Sequence, residues 1–226
     1  SLVSSPNLFM LFVFWQLLSW ALYLILAFNF PNRPACQNAF KTFFVHRVGD
    51  VSFLCGIFLA YKYFGTLEFT ELFKAAAEQP QVISLFSGMF DISAVTAIAL
   101  LIFVGAMAKS SQFPLHVWLP DTMDSPTPVS ALMHAGIINA GGFLLNRLAP
   151  FYALSPNTLH IVFVIGVLTV LMGASMMLAQ NDIKKTLGFS TMGQMGYMIM
   201  ECGLGAFALA IFHLIAHGLF KASLFL

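Results

Sequence analysis

Long apolar runs separated by short polar turns are the main pattern of this chain. A membrane-spanning helix needs about 20 mostly apolar residues, whereas the strands of a membrane barrel alternate over segments of about ten residues. The runs are too long and too evenly apolar for a barrel, so we predict an all-α polytopic membrane protein. Seven helices are predicted, at roughly residues 8–28, 42–61, 91–108, 129–148, 159–178, 187–200 and 207–226.

The composition supports a bilayer environment. Hydrophobic residues make up 59% of the chain and charged residues only 8%, whereas a soluble domain carries roughly 25% charged residues. So few charges cannot cover a surface that faces water. The net charge of +1 is not gathered in a basic stripe, which argues against nucleic acid as a partner.

The two ends indicate a fragment of a longer polytopic protein. The chain starts at Ser1 without an initiator Met or a signal-peptide pattern, and it stops at Leu226 inside an apolar run.

Loop cations weakly assign the orientation of the chain in the membrane, because the more cationic side is expected to face the cytoplasm or matrix. That side carries Arg33, Lys41, Lys184 and Lys185, against Lys62, Lys74 and Arg147 on the other.

Lys109 closes the third apolar run and is followed by a stretch rich in proline, residues 110–128. A lysine at the bilayer centre costs about 2.5–3.5 kcal/mol or more. Irregular backbone at that depth is tolerated only inside protein or along a wet cavity. The combination indicates proton or ion handling, and His134, in the run that follows, is a plausible relay partner.

His213, His217 and Lys221 lie at i, i+4 and i+8 in the last run, so they share one helical face. Imidazole groups exchange protons near neutral pH, and two of them one turn apart could pass a proton through a water. The alternative is a pair of core histidines that hydrogen-bond to neighbouring helices. A zinc site is a poor third choice, since no cysteine or carboxylate completes it.

Two polar side chains stand out in the first two runs. Asp50 needs a partner if it is buried; it either pairs locally with His46 and Arg47, at i−4 and i−3, or tunes a proton site. Gln16 is the one strongly polar side chain of the first run. It cannot titrate, but it can hydrogen-bond across a helix interface.

Redox and nucleotide motifs are missing from the sequence. It has no P-loop, no GxGxxG, no CxxC and no GxSxG. We therefore predict no cofactor and no metal, and we expect this chain to perform no redox chemistry itself. Any enzymatic role would come from membership in a larger redox complex.

Three segments, residues 108–134, 181–197 and 212–222, resemble signature blocks of the proton-translocating antiporter-like subunits. This family includes subunit L (mitochondrial chain 5) of NADH:quinone oxidoreductase, or complex I, and relatives in Mrp sodium/proton antiporters. The resemblance runs from about residue 8 to 226. It implies two inverted five-helix repeats, each with a broken helix. Residues of about 8–150 would form the first repeat and about 158–226 the start of the second.

The resemblance also implies a proton pathway. Lys109 matches the lysine of the first broken helix, and His134 the histidine that follows it. The central hydrophilic axis would comprise His213, His217 and Lys221, and Asp50 matches the carboxylate after the Arg-Val-Gly element.

Gln16 stands where the family usually has a glutamate paired with that lysine. The missing counter-charge should favour neutral Lys109, with Asp50 compensating in part. It also argues against ordinary complex I coupling.

The function expected first is a proton-translocating membrane subunit of a complex I-type quinone oxidoreductase. Segment 134–147 departs from usual subunit L chains and looks more like relatives that pair with a large soluble zinc protein in inorganic-carbon uptake. A sodium/proton antiporter subunit and a non-conducting scaffold are further alternatives. Expected partners are the lipid bilayer, protons or Na⁺, and either further membrane subunits or that zinc protein. The expected location is a bacterial inner membrane, or else a mitochondrial one.

Overall fold

A bundle of helices accounts for almost all of the chain. The computed structural model describes residues 1–78, 81–85 and 90–225; residue 226, the last of the seventh predicted run, lies outside them. The helices are α1 (Leu8–Leu26), α2 (Arg33–Phe64), α3 (Phe69–Glu78), α4 (Ala94–Lys109), α5 (Thr127–Ala135), α6 (Ala140–Arg147), α7 (Ala149–Ala153), α8 (Pro156–Leu178), α9 (Ile183–Gly203) and α10 (Phe207–Phe225). Between α3 and α4, β1 (Val82–Leu85) pairs antiparallel with β2 (Phe90–Ser93). Two short 3-10 helices cover Pro120–Asp124 and Ile137–Asn139.

Each of the seven predicted runs contains helix, which confirms the all-α membrane class. Five segments are long and apolar enough to cross a bilayer, judged by length and composition over the described residues: Leu8–Leu26, Arg33–Phe64, Thr127–Arg147, Pro156–Leu178 and Phe207–Leu224. Helix α4 is shorter because it ends at Lys109. Large apolar side chains such as Leu17, Phe58 and Leu171 are exposed, as expected of faces that meet lipid.

Helix α2 begins nine residues before its predicted start at about residue 42. The added turns are polar, so the apolar pattern could not reveal them. They are held by the 3-10 segment that precedes α5: Asn38 donates to the Asp121 carbonyl oxygen at 2.9 Å, and Lys41 forms an ion pair with the Asp121 carboxylate at 2.5 Å.

The run predicted as one helix over residues 129–148 is interrupted. Helix α5 ends at Ala135, a 3-10 turn follows Gly136, and α6 begins at Ala140. Backbone groups freed by such a break need other partners in a membrane. The Ser110 hydroxyl supplies them, donating to the Ile138 carbonyl at 2.6 Å and accepting from the Gly141 N–H at 3.1 Å. The prediction missed this break because the partner is distant in sequence.

Helix α3 and the hairpin were not predicted. Helix α3 and β1 lie between apolar runs, whereas β2 includes the first residues of the run predicted as helix from residue 91, so α4 begins only at Ala94. Helix α3 is amphipathic: Phe69, Leu72 and Ala76 are buried while Glu71 and Lys74 are exposed. It therefore lies against the bundle by one face only.

Helices α8 and α9 approach each other backbone to backbone. A Cβ placed on Gly166 would lie 2.5 Å from the Met200 nitrogen, and one on Gly173 would lie 2.6 Å from the Gly193 nitrogen. Small residues at such positions let membrane helices pack closely without a hydrophobic driving force. The glycine-rich composition of α9 therefore serves packing, which leaves its polar residues to be explained separately.

We expect Gly173→Ala to destabilise the α8–α9 interface by about 1–3 kcal/mol, because the added methyl meets backbone that cannot move aside. Gly193→Ala, in the same interface, is the matched control: the nearest atom to its added Cβ is 3.9 Å away. Thermal unfolding of the purified membrane protein compares the two variants. Equal melting temperatures would contradict the backbone-to-backbone packing.

Candidate functional site

Lys109 is the last residue of α4 and is fully buried. The chain turns away immediately after it, with Ser111 in the left-handed region at φ 53°. Carbonyl groups in the last turn of a helix lack intrahelical donors. The Trp118 indole donates to the Ala108 carbonyl at 2.9 Å, and the Gln112 N–H donates to the Met107 carbonyl at 2.9 Å. The break that the prolines predicted is thus stabilised by the segment that follows it.

The Lys109 ammonium group is bound by helix α1. It donates to the Ser19 hydroxyl at 2.5 Å and to the Trp15 carbonyl at 3.3 Å, and it lies 5.3 Å from the centre of the Trp15 ring. Both residues are buried. The lysine is therefore held by neutral groups on a neighbouring helix.

Asp50 lies on the other side of the Ser19 hydroxyl. Its carboxylate accepts from the Trp15 indole at 2.9 Å and from Ser19 at 3.5 Å, and it forms an ion pair with Arg47 at 3.3 Å. Close packing of α2 on α4 brings it here, since a Cβ on Gly49 would lie 2.4 Å from the Ala108 Cβ. Ser19 thus bridges the ammonium of Lys109 and the carboxylate of Asp50.

Gln16 contacts Arg47, not Lys109. The Arg47 guanidinium donates to the Gln16 side-chain oxygen and lies 4.4 Å from the centre of the Phe43 ring. With every group ionised, the cluster of Arg47, Lys109 and Asp50 carries two positive charges and one negative charge. Losing one proton from Lys109 would bring it to neutrality. We refer to these residues with Ser19 and Gln16 as the lysine cluster.

A second polar cluster follows one face of α10. His213 Nδ1 lies 3.1 Å from a Glu201 carboxylate oxygen, and its Nε2 lies 2.8 Å from the Gln194 side-chain oxygen. The centre of the His217 ring is 6.5 Å from that of His213. Lys221 donates to the Leu187 carbonyl at 3.2 Å. A cavity of about 260 Å³ connects His213, His217 and Lys221. The three residues predicted to share a face do so, and this face opens into the cavity.

His134 is buried in the last turn of α5, where α10 passes. A Cβ on Gly218 would lie 3.0 Å from the Ala135 carbonyl oxygen, so the α10 face runs beside this turn. The structure therefore groups His134 with α10. The break after Lys109 and the break after α5 contact each other through Ser110.

Three contributors to these clusters were missed in the sequence: Ser19, Gln194 and Glu201. His46 is buried with its ring edge-on to Trp118, 4.7 Å between ring centres, and neither of its nitrogens makes a hydrogen bond within the described residues. Glu201 could have been found by the argument applied to Lys109, because it is also a charge within an apolar helix. Ser19 gave no comparable signal. Over the described residues, no three His, Cys, Asp or Glu side chains are grouped to hold a metal ion.

The family comparison concerns the chain as a whole. Residues 5–226 match the family described as NADH:quinone oxidoreductase/Mrp antiporter, TM. The chain belongs to this family. The antiporter-like resemblance predicted from the three sequence blocks is confirmed. Membership establishes an integral, multi-pass membrane protein of the antiporter-like type.

Relatives in the family carry different functions in their names. The chain is 51% identical over its whole length to the probable inorganic carbon transporter subunit DabB1 of Halothiobacillus neapolitanus, of which it covers 39%. It is 47% identical to the chloroplastic NAD(P)H-quinone oxidoreductase subunit 5 of Nymphaea alba, of which it covers 30%. The chain thus spans between 30% and 39% of these relatives' lengths.

Solved structures share the fold over nearly the whole chain. The Mrp complex from Dietzia sp. DQ12-45-1b matches 99% of the chain at a TM-score of 0.88 and 31% identity, with 24% of that chain covered. A membrane-bound sulfane sulfur reductase, an archaeal respiratory complex, matches 99% at a TM-score of 0.86 and 24% identity, with 45% of that chain covered; this second likeness concerns the fold alone. The division into two repeats and the proton-relay roles of individual residues stay predictions.

We expect Asp50→Asn to lower the free energy of unfolding by about 3–5 kcal/mol, because it leaves two cations in a buried site without a counter-charge. Asp121→Asn is the control, since its ion pair with Lys41 is partly exposed and such pairs contribute about 0–1 kcal/mol. Thermal unfolding of the purified protein measures both. A smaller loss for Asp50→Asn than for Asp121→Asn would contradict the ion-pair assignment.

Proposed function

We propose that this chain is the proton-conducting membrane subunit of an inorganic-carbon uptake complex, in which proton flow drives the capture of bicarbonate or CO₂. The observation that carries the proposal is the 51% identity over the full chain with the DabB1 subunit, against 47% with subunit 5 of the plant oxidoreductase. This order reverses the expectation from the sequence, which placed the oxidoreductase first. Gln16 supports the same choice, since it departs from the glutamate usual in complex I.

The lysine cluster supports proton conduction in particular. Lys109 is buried with its ammonium on Ser19 and Trp15, and the cluster has one cation more than it has carboxylates. A proton leaving Lys109 takes this excess charge with it and leaves the Arg47–Asp50 pair balanced. A proton returning to Lys109 restores the excess. The site can therefore alternate between two charge states without moving a helix.

From Lys109 the proton travels past the paired helix breaks toward His134, which lies beside α10. The cavity along α10 is lined by His213, His217 and Lys221, and it offers room for waters that carry protons between rings too far apart for direct contact. Neutral imidazole can accept a proton on one nitrogen and release one from the other. His134, His217 and His213 are the residues that we assign to this second part of the path.

A quinone oxidoreductase subunit is the second candidate. It is favoured by the 47% identity with the chloroplastic subunit 5 over the whole chain. In that case electron transfer would occur on partner subunits. The proton path through this chain would stay the same, so the two candidates differ in what supplies the driving energy.

Lys109→Ala should reduce proton flux at least about tenfold, since positioned proton-transfer groups typically contribute 10²–10⁴-fold. The measurement is dye-reported acidification of vesicles that contain the full-length subunit in its complex. Lys74→Ala is the control, because Lys74 is exposed on α3 outside both clusters. Unchanged flux in Lys109→Ala would refute the assignment of Lys109.

The parent complex can be identified by purifying the full-length subunit with its natural partners. Carbon uptake predicts a co-purified soluble partner that contains zinc, and bicarbonate uptake by cells that a protonophore abolishes. Flavin and iron in the purified complex, with NADH oxidation by quinone, would instead establish the oxidoreductase. Flux that requires sodium would contradict both and support an antiporter.

A further inference from the structure

Glu201 is the one carboxylate in the sequence of α9 and α10. It lies two residues before the end of α9, and its backbone carbonyl accepts from the Ala206 N–H at 2.9 Å in the turn to α10. Only 14% of its side chain is exposed. Acidic residues within membrane helices are costly and commonly mark ion pathways. The position therefore calls for an explanation beyond packing.

His213 is held between two oxygens. Its Nε2 lies 2.8 Å from the Gln194 side-chain oxygen, which can only accept, so Nε2 carries a hydrogen. Its Nδ1 lies 3.1 Å from the Glu201 carboxylate. A hydrogen bond there needs one proton, located either on Nδ1 or on the carboxyl group. The pair is thus either an imidazolium with a carboxylate or a neutral imidazole with a carboxylic acid.

The pair also joins two different environments. His213 lines the cavity that continues to His217 and Lys221, whereas Glu201 lies outside that lining, toward the α9–α10 turn. From His213 to Lys221 the helical rise is about 12 Å. The turn follows the C-terminal end of α9, whereas Lys184 and Lys185 lie in the first turn of that helix. Glu201 is therefore positioned at the end of the histidine axis that is remote from these two lysines.

We propose that Glu201 is a proton-carrying residue that exchanges protons between His213 and the membrane face at the α9–α10 turn. In the step, the N–H bond at Nδ1 of imidazolium His213 breaks and an O–H bond forms on the Glu201 carboxylate. Both charges are neutralised together, and no other reactant is needed. Gln194 is a positioning residue that keeps Nδ1 directed at the carboxylate. The proposal rests on the proton-conducting function proposed above.

The first test measures proton flux in vesicles that contain the full-length subunit in its complex. Glu201→Gln keeps the size and shape of the side chain, but its amide cannot carry a proton, so proton flux should fall about tenfold or more. Glu201→Asp keeps a carboxylate and should retain most of the wild-type flux. The control is Glu78→Gln, an exposed carboxylate on α3, which should leave flux unchanged. Rates are compared at equal amounts of assembled complex.

The second test follows the carboxyl group itself by difference infrared spectroscopy between high and low pH. The wild-type complex should show a carboxylic-acid C=O band that shifts when glutamate is ¹³C-labelled, and that moves in Glu201→Asp. A purely structural ion pair would give no such band. This test does not require the Glu201→Gln variant to fold.

The outcomes separate this inference from the proposed function. The role of Glu201 is overturned if Glu201→Gln conducts protons at the wild-type rate. It is also overturned if the Glu201→Asp complex gives the same carboxyl band as the wild type. If Lys109→Ala abolishes proton flux in the same assay, the proposed proton conduction stands and only the proposed role of Glu201 fails. If neither substitution changes flux, proton conduction by this chain fails as well.

Discussion

The burial of the Lys109 ammonium at the end of α4 is the constraint on which the rest of the arrangement depends. A lysine at membrane depth is costly, and here the cost is offset by contacts from three directions. Helix α1 supplies the Ser19 hydroxyl and the Trp15 carbonyl, and α2 brings Asp50 to within reach of Ser19. The segment after the break caps the last turn of α4 through Trp118. Close packing of α1, α2 and α4 is therefore needed to keep one charged group in place.

Features with a local signal in the sequence were predictable. The apolar runs revealed the helices, the prolines revealed the break after Lys109, and spacing by four placed His213, His217 and Lys221 on one face. Features that depend on distant partners were not. The break at Gly136 is stabilised by Ser110, and Ser19 matters only because α4 ends beside it. Glu201 had a signal, a charge in an apolar helix, but its pairing with His213 depends on how α9 and α10 pack.

The two polar clusters differ in how their charged groups are paired. The lysine cluster holds two cations against one carboxylate, because Gln16 contributes no charge where the family usually has a glutamate. The α10 cluster pairs a histidine with a carboxylate that shares one proton with it. In the path that we propose, the first cluster expels a proton and the second receives it. Relatives that are named for different functions match the whole of this chain in sequence, and the Mrp complex shares its fold.

The central claim is that Lys109 alternates between its ammonium and neutral amine forms while protons cross the membrane. Solid-state NMR of the full-length subunit in its complex, with ¹⁵N-labelled lysine and the Lys109 signal assigned by substitution, observes this group directly. The account predicts both forms of the Lys109 side-chain nitrogen, in proportions that change when the proton gradient across the vesicle is reversed. A single ammonium signal that is indifferent to the gradient, in a complex that still conducts protons, would contradict it.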